Sequence, residues 1–243
     1  MSAPFARTPL PLLRVPTVAD VTSRYATVEQ TIHVGGRSFS LLTAGNTNEL
    51  LERLDPDLFA VDERLPYWAE VWTSSVALAD LCLRTPSMEG ATVLELGCGL
   101  GLVGIGAAAA GARVVMTDYE PDAVAFARYN VERNLSGAQA RGTVSVQLMD
   151  WRSPEAGGPY HWVLGADVAY ERRNFLPLLQ TVNMLLAENG IAVFTDPDRS
   201  TGADFARLAE ECGFVLRRKA EPAPRHDATR TIVRYELRRR MMP

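Results

Sequence analysis

A chain of 243 residues can bury a large core without disulfides or metal staples, and its length suits one α/β domain with a small extension. A formal net charge of -4 at pH 7 argues against the broadly basic surface that nucleic acid selects. Cys82, Cys98 and Cys212 show no CxxC spacing and His33, His161 and His226 are scattered. The expectation is therefore no disulfide framework, no metal site and a reducing, cytoplasmic setting.

Residues 1–27 are punctuated by proline and lack the uninterrupted apolar core of a signal peptide. They are expected to be loosely ordered or packed as an extended arm. Two β-type runs in residues 31–42 flank Gly35-Gly36 and predict a hairpin. A short helix is expected over 46–54 and a polar connection over 55–66. From residue 66 the pattern becomes regular. Val71, Trp72, Val76, Ala79 and Leu83 recur at helical spacing and predict a helix over 68–83. Strands are expected at 92–96, 113–117, 143–149, 162–166 and 191–195. Helices alternate with them at 102–110, 121–134, 174–187 and 203–212; the second of these has Pro121 in its first turn. The small-residue run 104–112 is too short to span a bilayer. Two strand-like runs, 214–219 and 231–237, close the chain, and the basic run Arg238, Arg239 and Arg240 reads as a solvated end.

This alternation predicts a Rossmann-like, doubly wound α/β fold. Its seven-stranded sheet is mostly parallel and ends in an antiparallel C-terminal edge hairpin. Residues 1–64 are assigned to an N-terminal arm, hairpin and short helix, and residues 65–243 to the main domain.

Residues 93–101 read VLELGCGLG. A buried strand runs into a tight turn at Gly97, Gly99 and Gly101, where ligands of doubly wound sheets sit. In one frame, Gly99, Gly101 and Gly104 match the dinucleotide pattern GxGxxG, with Asp118 at ribose distance. The strand ends at Leu96, however, so Gly97 opens the turn, and in that frame Leu102 stands where the third glycine should be. An acidic residue two before a GxGxG turn resembles motif I of the class I methyltransferases. S-adenosylmethionine has no pyrophosphate, and its ammonium suits Glu95. Asp118 ends the second strand, where it can accept ribose hydroxyls. Asp150 and Trp151 end the third, where they can border adenine.

Beyond motif I, LPYWAEVWTSSVALADL (65–81), VLELGCGLGLVGIGAAAAGARVVMTDYEP (93–121), MDW (149–151) and LGADVAYE (164–171) resemble methyltransferase family 16, a group of seven-strand protein-lysine methyltransferases. The resemblance covers roughly residues 65–215. It implies that Trp72 packs on the cofactor and that Gly97, Cys98 and Gly99 form its backbone turn. It further implies Asp118 as ribose ligand, Trp151 as adenine neighbour and Ala166 as a backbone contact. Asp167 and Tyr170 match the DxxY motif of the substrate site. Trp68 reads as core packing. The segment TDPDRS (195–200) either lines the substrate mouth through Asp196 and Arg199 or is an ordinary turn.

The expected activity is S-adenosylmethionine-dependent methyl transfer to a protein lysine amine. A small-molecule amine or other metabolite as acceptor, a nicotinamide-dependent oxidoreductase and an inactive cofactor-binding module remain open. No nucleic-acid or membrane partner is expected.

Overall fold

The computed structural model describes residues 15–45, 50, 65–136, 142–155, 157–224 and 230–240. The expected helix over 46–54 lies outside them apart from residue 50, as does nearly all of the connection that follows.

Helix α1 (Val18–Arg24) precedes a hairpin of β1 (Thr27–Val34) and β2 (Arg37–Ala44). Next come α2 (Thr73–Arg84), β3 (Thr92–Leu96), α3 (Leu102–Ala109), β4 (Arg113–Asp118) and α4 (Pro121–Asn134). They are followed by β5 (Thr143–Leu148), β6 (Tyr160–Ala166), α5 (Arg172–Leu185), β7 (Leu186–Asp196) and α6 (Gly202–Glu211). Strands β8 (Phe214–Pro222) and β9 (Thr231–Arg239) complete the chain.

The seven-stranded sheet has the order β5-β4-β3-β6-β7-β9-β8. The first five strands pair in parallel, and β9 runs antiparallel to both β7 and β8. From β3 the chain winds outward through β4 and β5, then returns to lay β6 on the other side of β3. The crevice beyond the carboxyl ends of β3 and β6 is therefore the point where strand order reverses and ligands bind.

Period-two alternation sends neighbouring strand residues to opposite layers. Leu94 and Leu96 of β3 join the core beneath α5 and α6, while Val93 joins the core beneath α2, α3 and α4. Phe205 anchors the first core, meeting Phe175, Phe194 and Tyr235 edge-on at ring separations of 5.3–5.6 Å. The small residues of α3 let it approach α2 closely: a Cβ on Gly106 would stand 3.2 Å from that of Ala79.

Besides shifts of a few residues at several element ends, four features differ from the sequence expectation. Residues 15–27 contain α1, whose N-terminus carries a capping box between Thr17 and Asp20. The helix expected over 68–83 begins at Thr73; residues Tyr67–Ala69 form a separate 3-10 turn and Trp72 is the N-cap. Apolar spacing runs through both pieces and hides the break. Helix α5 passes directly into β7 without a loop. The basic run is not simply a solvated end: Arg239 lies in β9 and donates to the carbonyls of Asn183 and of Leu186, the latter at 2.8 Å. It thereby satisfies orphan carbonyls at the C-terminus of α5.

A two-stranded hairpin is marginal alone, and its outer edge leaves amides unpaired. Here α4 closes the edge of β2 with two asparagines. Asn130 accepts from Leu42 N at 2.7 Å and donates to the Leu42 and Leu100 carbonyls at 3.1 and 3.0 Å. Asn134 accepts from Ser40 N and donates to the Ser40 carbonyl, both at 2.8 Å. Because Asn130 is fully buried, Asn130→Ala leaves three backbone groups without partners. We expect urea denaturation of that variant to show a loss of about 1–3 kcal/mol; an unchanged midpoint would show that the hairpin does not depend on this docking.

Candidate active site

The local sequence builds the turn after β3 from hydrogen bonds between adjacent strands. Cys98 N donates to the Thr117 carbonyl at 2.9 Å, and the Thr117 hydroxyl donates to the Glu95 carbonyl at 2.7 Å. Gly99 N donates to Asp118 Oδ2 at 2.8 Å, while Glu120 N donates to Oδ1 at 3.0 Å. Gly97 and Gly99 have φ of +68° and +50°, a left-handed conformation that favours glycine. A Cβ on Gly97 would stand 2.7 Å from Val168 and 3.3 Å from the Trp151 ring, so the turn passes close under both side chains.

Gly104 plays a different part from a phosphate-binding glycine. It lies inside α3, and a Cβ there would stand 2.5 Å from Met116 and 2.6 Å from Glu95 Oε2. Its N–H donates to that same Oε2 at 2.9 Å. Gly104 therefore makes room for a buried carboxyl, which agrees with the frame that opens on Gly97.

The resulting cleft brings together most of the residues singled out in the sequence. Trp72, Glu95, Gly97, Cys98, Gly99, Asp118, Trp151, Ala166, Asp167 and Tyr170 all line it. Asp150 does not: Arg152 N and Nε take up its carboxylate, and it lines an adjacent hollow with Tyr119 and Trp151. Trp68 packs on Phe126 at 5.5 Å and Tyr25 at 6.0 Å, as core packing requires, yet its backbone also borders the glycine turn.

Tyr67 also lines the cleft and was not singled out in the sequence. Its ring meets Trp72 edge-on at 5.9 Å and Tyr170 at 5.4 Å, forming a continuous aromatic wall. The Trp72 indole fixes this arrangement by donating to the Tyr67 carbonyl at 2.7 Å. The only sequence signal was its place in the stretch preceding α2.

The electrostatics of the cleft are one-sided. Glu70, Glu95, Asp118, Glu120 and Asp167 line it, with no lysine, arginine or histidine among the described lining residues. Burial pushes the Glu95 carboxyl up to about 8, against the pull of Gly104 N–H, and nearby Asp118 adds to the rise. Burial also raises Asp118, opposed by its backbone donors. Such a pair suits a ligand that brings positive charge and hydroxyl donors, and is unsuited to a pyrophosphate. Burial also raises the Cys98 thiol well above its ordinary range, which leaves it inert as a nucleophile. Among the described residues no cluster of three or more His, Cys, Asp or Glu side chains is placed to hold a metal.

A family model described as lysine methyltransferase matches residues 66–210. The chain belongs to this family. A relative from Danio rerio, protein N-lysine methyltransferase METTL21A, is 36% identical over 139 residues, which are 55% of this chain and 62% of that protein. Histone-arginine methyltransferase METTL23 from Xenopus laevis is 31% identical over 170 residues, 67% of this chain and 70% of that protein. The chain spans 57–62% of the length of the METTL21A relatives it matches. Among solved structures, N-methyltransferase NodS from Bradyrhizobium japonicum in complex with S-adenosyl-l-homocysteine superposes with a TM-score of 0.55 at 19% identity. The superposition covers 80% of this chain and 98% of NodS, and places the two in the same fold.

The raised Glu95 carboxyl predicts a pH dependence of the ligand-free protein. Unfolded, it ionises near its ordinary 4.5; folded, near 8. Between those values the folded state holds a proton that the unfolded chain has released, so rising pH disfavours folding. Urea denaturation should show the natural protein losing stability across this window relative to Glu95→Gln, whose amide keeps an acceptor for Gly104 N–H. Parallel pH profiles for the two proteins would contradict the assignment.

Proposed function

We propose that the chain is an S-adenosylmethionine-dependent methyltransferase acting on a protein lysine amine. The observation that carries this reading is the acidic cleft: five Asp and Glu side chains line it, with no cationic side chain among its described lining residues, and Glu95, protonated near neutral pH in the ligand-free protein, ionises more readily once a positive ligand stands beside it. A sulfonium cofactor with an ammonium complements that charge, whereas the two phosphates of a nicotinamide dinucleotide oppose it. Membership of the lysine methyltransferase family supports the same reading, as does the activity for which the METTL21A relatives are named.

In this assignment Glu95 faces the ammonium end, Asp118 accepts from the ribose, and Gly97, Cys98 and Gly99 form the backbone floor. Trp72 packs against the cofactor, Trp151 borders the adenine and Ala166 supplies a backbone contact. Asp150, held by Arg152 outside the cleft, is left without a direct role. S-adenosylmethionine, held by these residues, would supply a methyl group already activated on its sulfonium sulfur. The protein's own task is then orientation, which can lower a barrier by about 7–11 kcal/mol.

A lysine must first lose a proton. With an ordinary pKa of about 10.4, holding it neutral at pH 7 costs roughly 4–5 kcal/mol. The Tyr67–Tyr170 wall offsets part of this cost by stripping water from the ammonium. Tyr170 is itself buried enough that its phenol is pushed upward and stays protonated. Asp167 accepts a hydrogen bond from the amine and orients its lone pair. Glu70 at the exposed edge and half-buried Glu120 make an acidic mouth suited to a side chain presented by a protein. Small-molecule amines are the second reading, because the fold determines the cofactor and not the acceptor.

The remaining assignments follow from the same view. Buried free thiols at Cys82 and Cys98 support a reducing, cytoplasmic location, and the net charge of -4 supports a partner other than nucleic acid. Among the described residues no helix is long and apolar enough to cross a membrane. Residues 1–64 are assigned to the N-terminal extension and 65–243 to the methyltransferase domain.

Two variants separate binding from transfer. Calorimetry should show Asp118→Ala losing about 10- to 100-fold in affinity for S-adenosylhomocysteine. Asp167→Ala should keep that affinity and lose transfer by about 100-fold or more. Full transfer in the second variant would remove Asp167 from the reaction.

A further inference from the structure

Arg199 follows β7 and builds the wall behind the cleft. Its Nε and one Nη donate to Asp167 Oδ1 at 3.1 and 2.6 Å. Its main-chain N–H donates to Asp196 Oδ1 at 2.6 Å, and Nε lies 3.4 Å from Asp196 Oδ2. The guanidinium carbon sits 6.0 Å from the centre of the Tyr170 ring. One side chain thus touches both members of the DxxY pair. Burial alone would lower the Arg199 guanidinium, but its bond to Asp167 and the charge of Asp196 reverse the effect and keep it charged.

Asp167 has little freedom of its own. Its side chain is 6% exposed, its N–H donates to the Thr195 carbonyl at 2.8 Å, and its φ of +57° is unusual for a residue with a Cβ. Both guanidinium donors converge on Oδ1. Among the described residues no donor sits on Oδ2.

This division of the two oxygens has a chemical consequence. A guanidinium binds a carboxylate best through two parallel hydrogen bonds, one to each oxygen. At Asp167 a guanidinium of the chain itself has already taken one oxygen. A second guanidinium approaching the carboxylate would find half of its fork occupied and a like charge beside it. An amine from lysine needs only one acceptor and presents a compact, rotatable donor.

We propose that Arg199 is a positioning residue that makes Asp167 a one-oxygen acceptor and thereby selects lysine over arginine side chains. The inference rests on the methyl-transfer reading above. It gives a local basis for a choice the fold cannot make, since relatives named for lysine and for arginine methylation both match this chain.

The test uses the full chain, S-adenosylmethionine with a tritiated methyl group, and a desalted, heat-treated cell extract as the acceptor mixture. Labelled protein is hydrolysed, and methyl-lysine and methyl-arginine are separated and counted. The natural protein should label lysine. Arg199→Gln should bind S-adenosylhomocysteine normally and keep its KM for the methyl donor. Its kcat for lysine should fall about 100-fold, the scale expected when reacting groups are misplaced by roughly 1 Å. The methyl-arginine share of its product should rise. Arg199→Lys, which restores one donor to Oδ1, should recover most of the lysine transfer. Lysine transfer by Arg199→Gln at the natural rate overturns the proposal. So does loss of S-adenosylhomocysteine binding together with transfer, unrescued by Arg199→Lys, because that pattern marks a merely structural residue. Methyl-arginine from the natural protein leaves methyl transfer standing and overturns the selection. No methylated amino acid from the natural protein overturns the methyl-transfer reading and the selection with it.

Discussion

The structure depends on how the chain leaves β3. Between Leu96 and Leu102 the backbone must turn from a fully buried strand into a fully buried helix without stranding its amides. It does so by reaching sideways to β4: Cys98 N to the Thr117 carbonyl, Gly99 N to the Asp118 carboxylate and the Thr117 hydroxyl back to the Glu95 carbonyl. Three positive-φ glycines, Gly97, Gly99 and Gly101, allow the path and the absence of a Cβ at Gly97 lets Val168 and Trp151 close over it. The same bonds that hold the turn fix Asp118 at the cleft, so the fold and the site share one set of contacts. An unpaired amide here would cost about 1–3 kcal/mol, a sizeable part of the net stability of a domain.

The second consequence is electrostatic. Because β3 alternates between layers, Glu95 points toward α3, where Gly104 leaves it space and one hydrogen bond. Asp118 stands nearby and adds like charge, and the described lining of the cleft provides no cation to offset either. Across the cleft Asp167 does have a cation, Arg199, but that guanidinium lies behind it. In the proposed reading the end of the cleft at Glu95 and Asp118 is therefore acidic, while the end at Asp167 is partly balanced by Arg199.

Much of this was legible in the sequence because periodicity and punctuation agreed. Strand β3 and helix α4 begin and end where the pattern places them, the latter with Pro121 at its first turn. The glycine frame could be chosen by locating the strand's end at Leu96, and Gly104 then proved to serve packing. Helix α1 was hidden among prolines, although Thr17 and Asp20 carry its capping box. The start of α2 was masked because apolar spacing continues through the preceding 3-10 turn. Other features are products of the tertiary fold. Arg199 meets Asp167 across 32 positions, and Asn130 meets Leu42 across 88, through contacts that no local pattern announces. Asp150 is diverted by its neighbour Arg152, a two-residue contact that the strand-end argument did not weigh.

In the proposed reading, the acidic cleft beyond β3 selects a cationic cofactor over a dinucleotide. Calorimetric titration of the full chain with S-adenosylmethionine and, separately, with NAD tests it most directly. Saturable one-to-one binding of S-adenosylmethionine is expected, with NAD at least about 100-fold weaker, a difference of roughly 2.7 kcal/mol. Tight NAD binding with no heat from S-adenosylmethionine would contradict it.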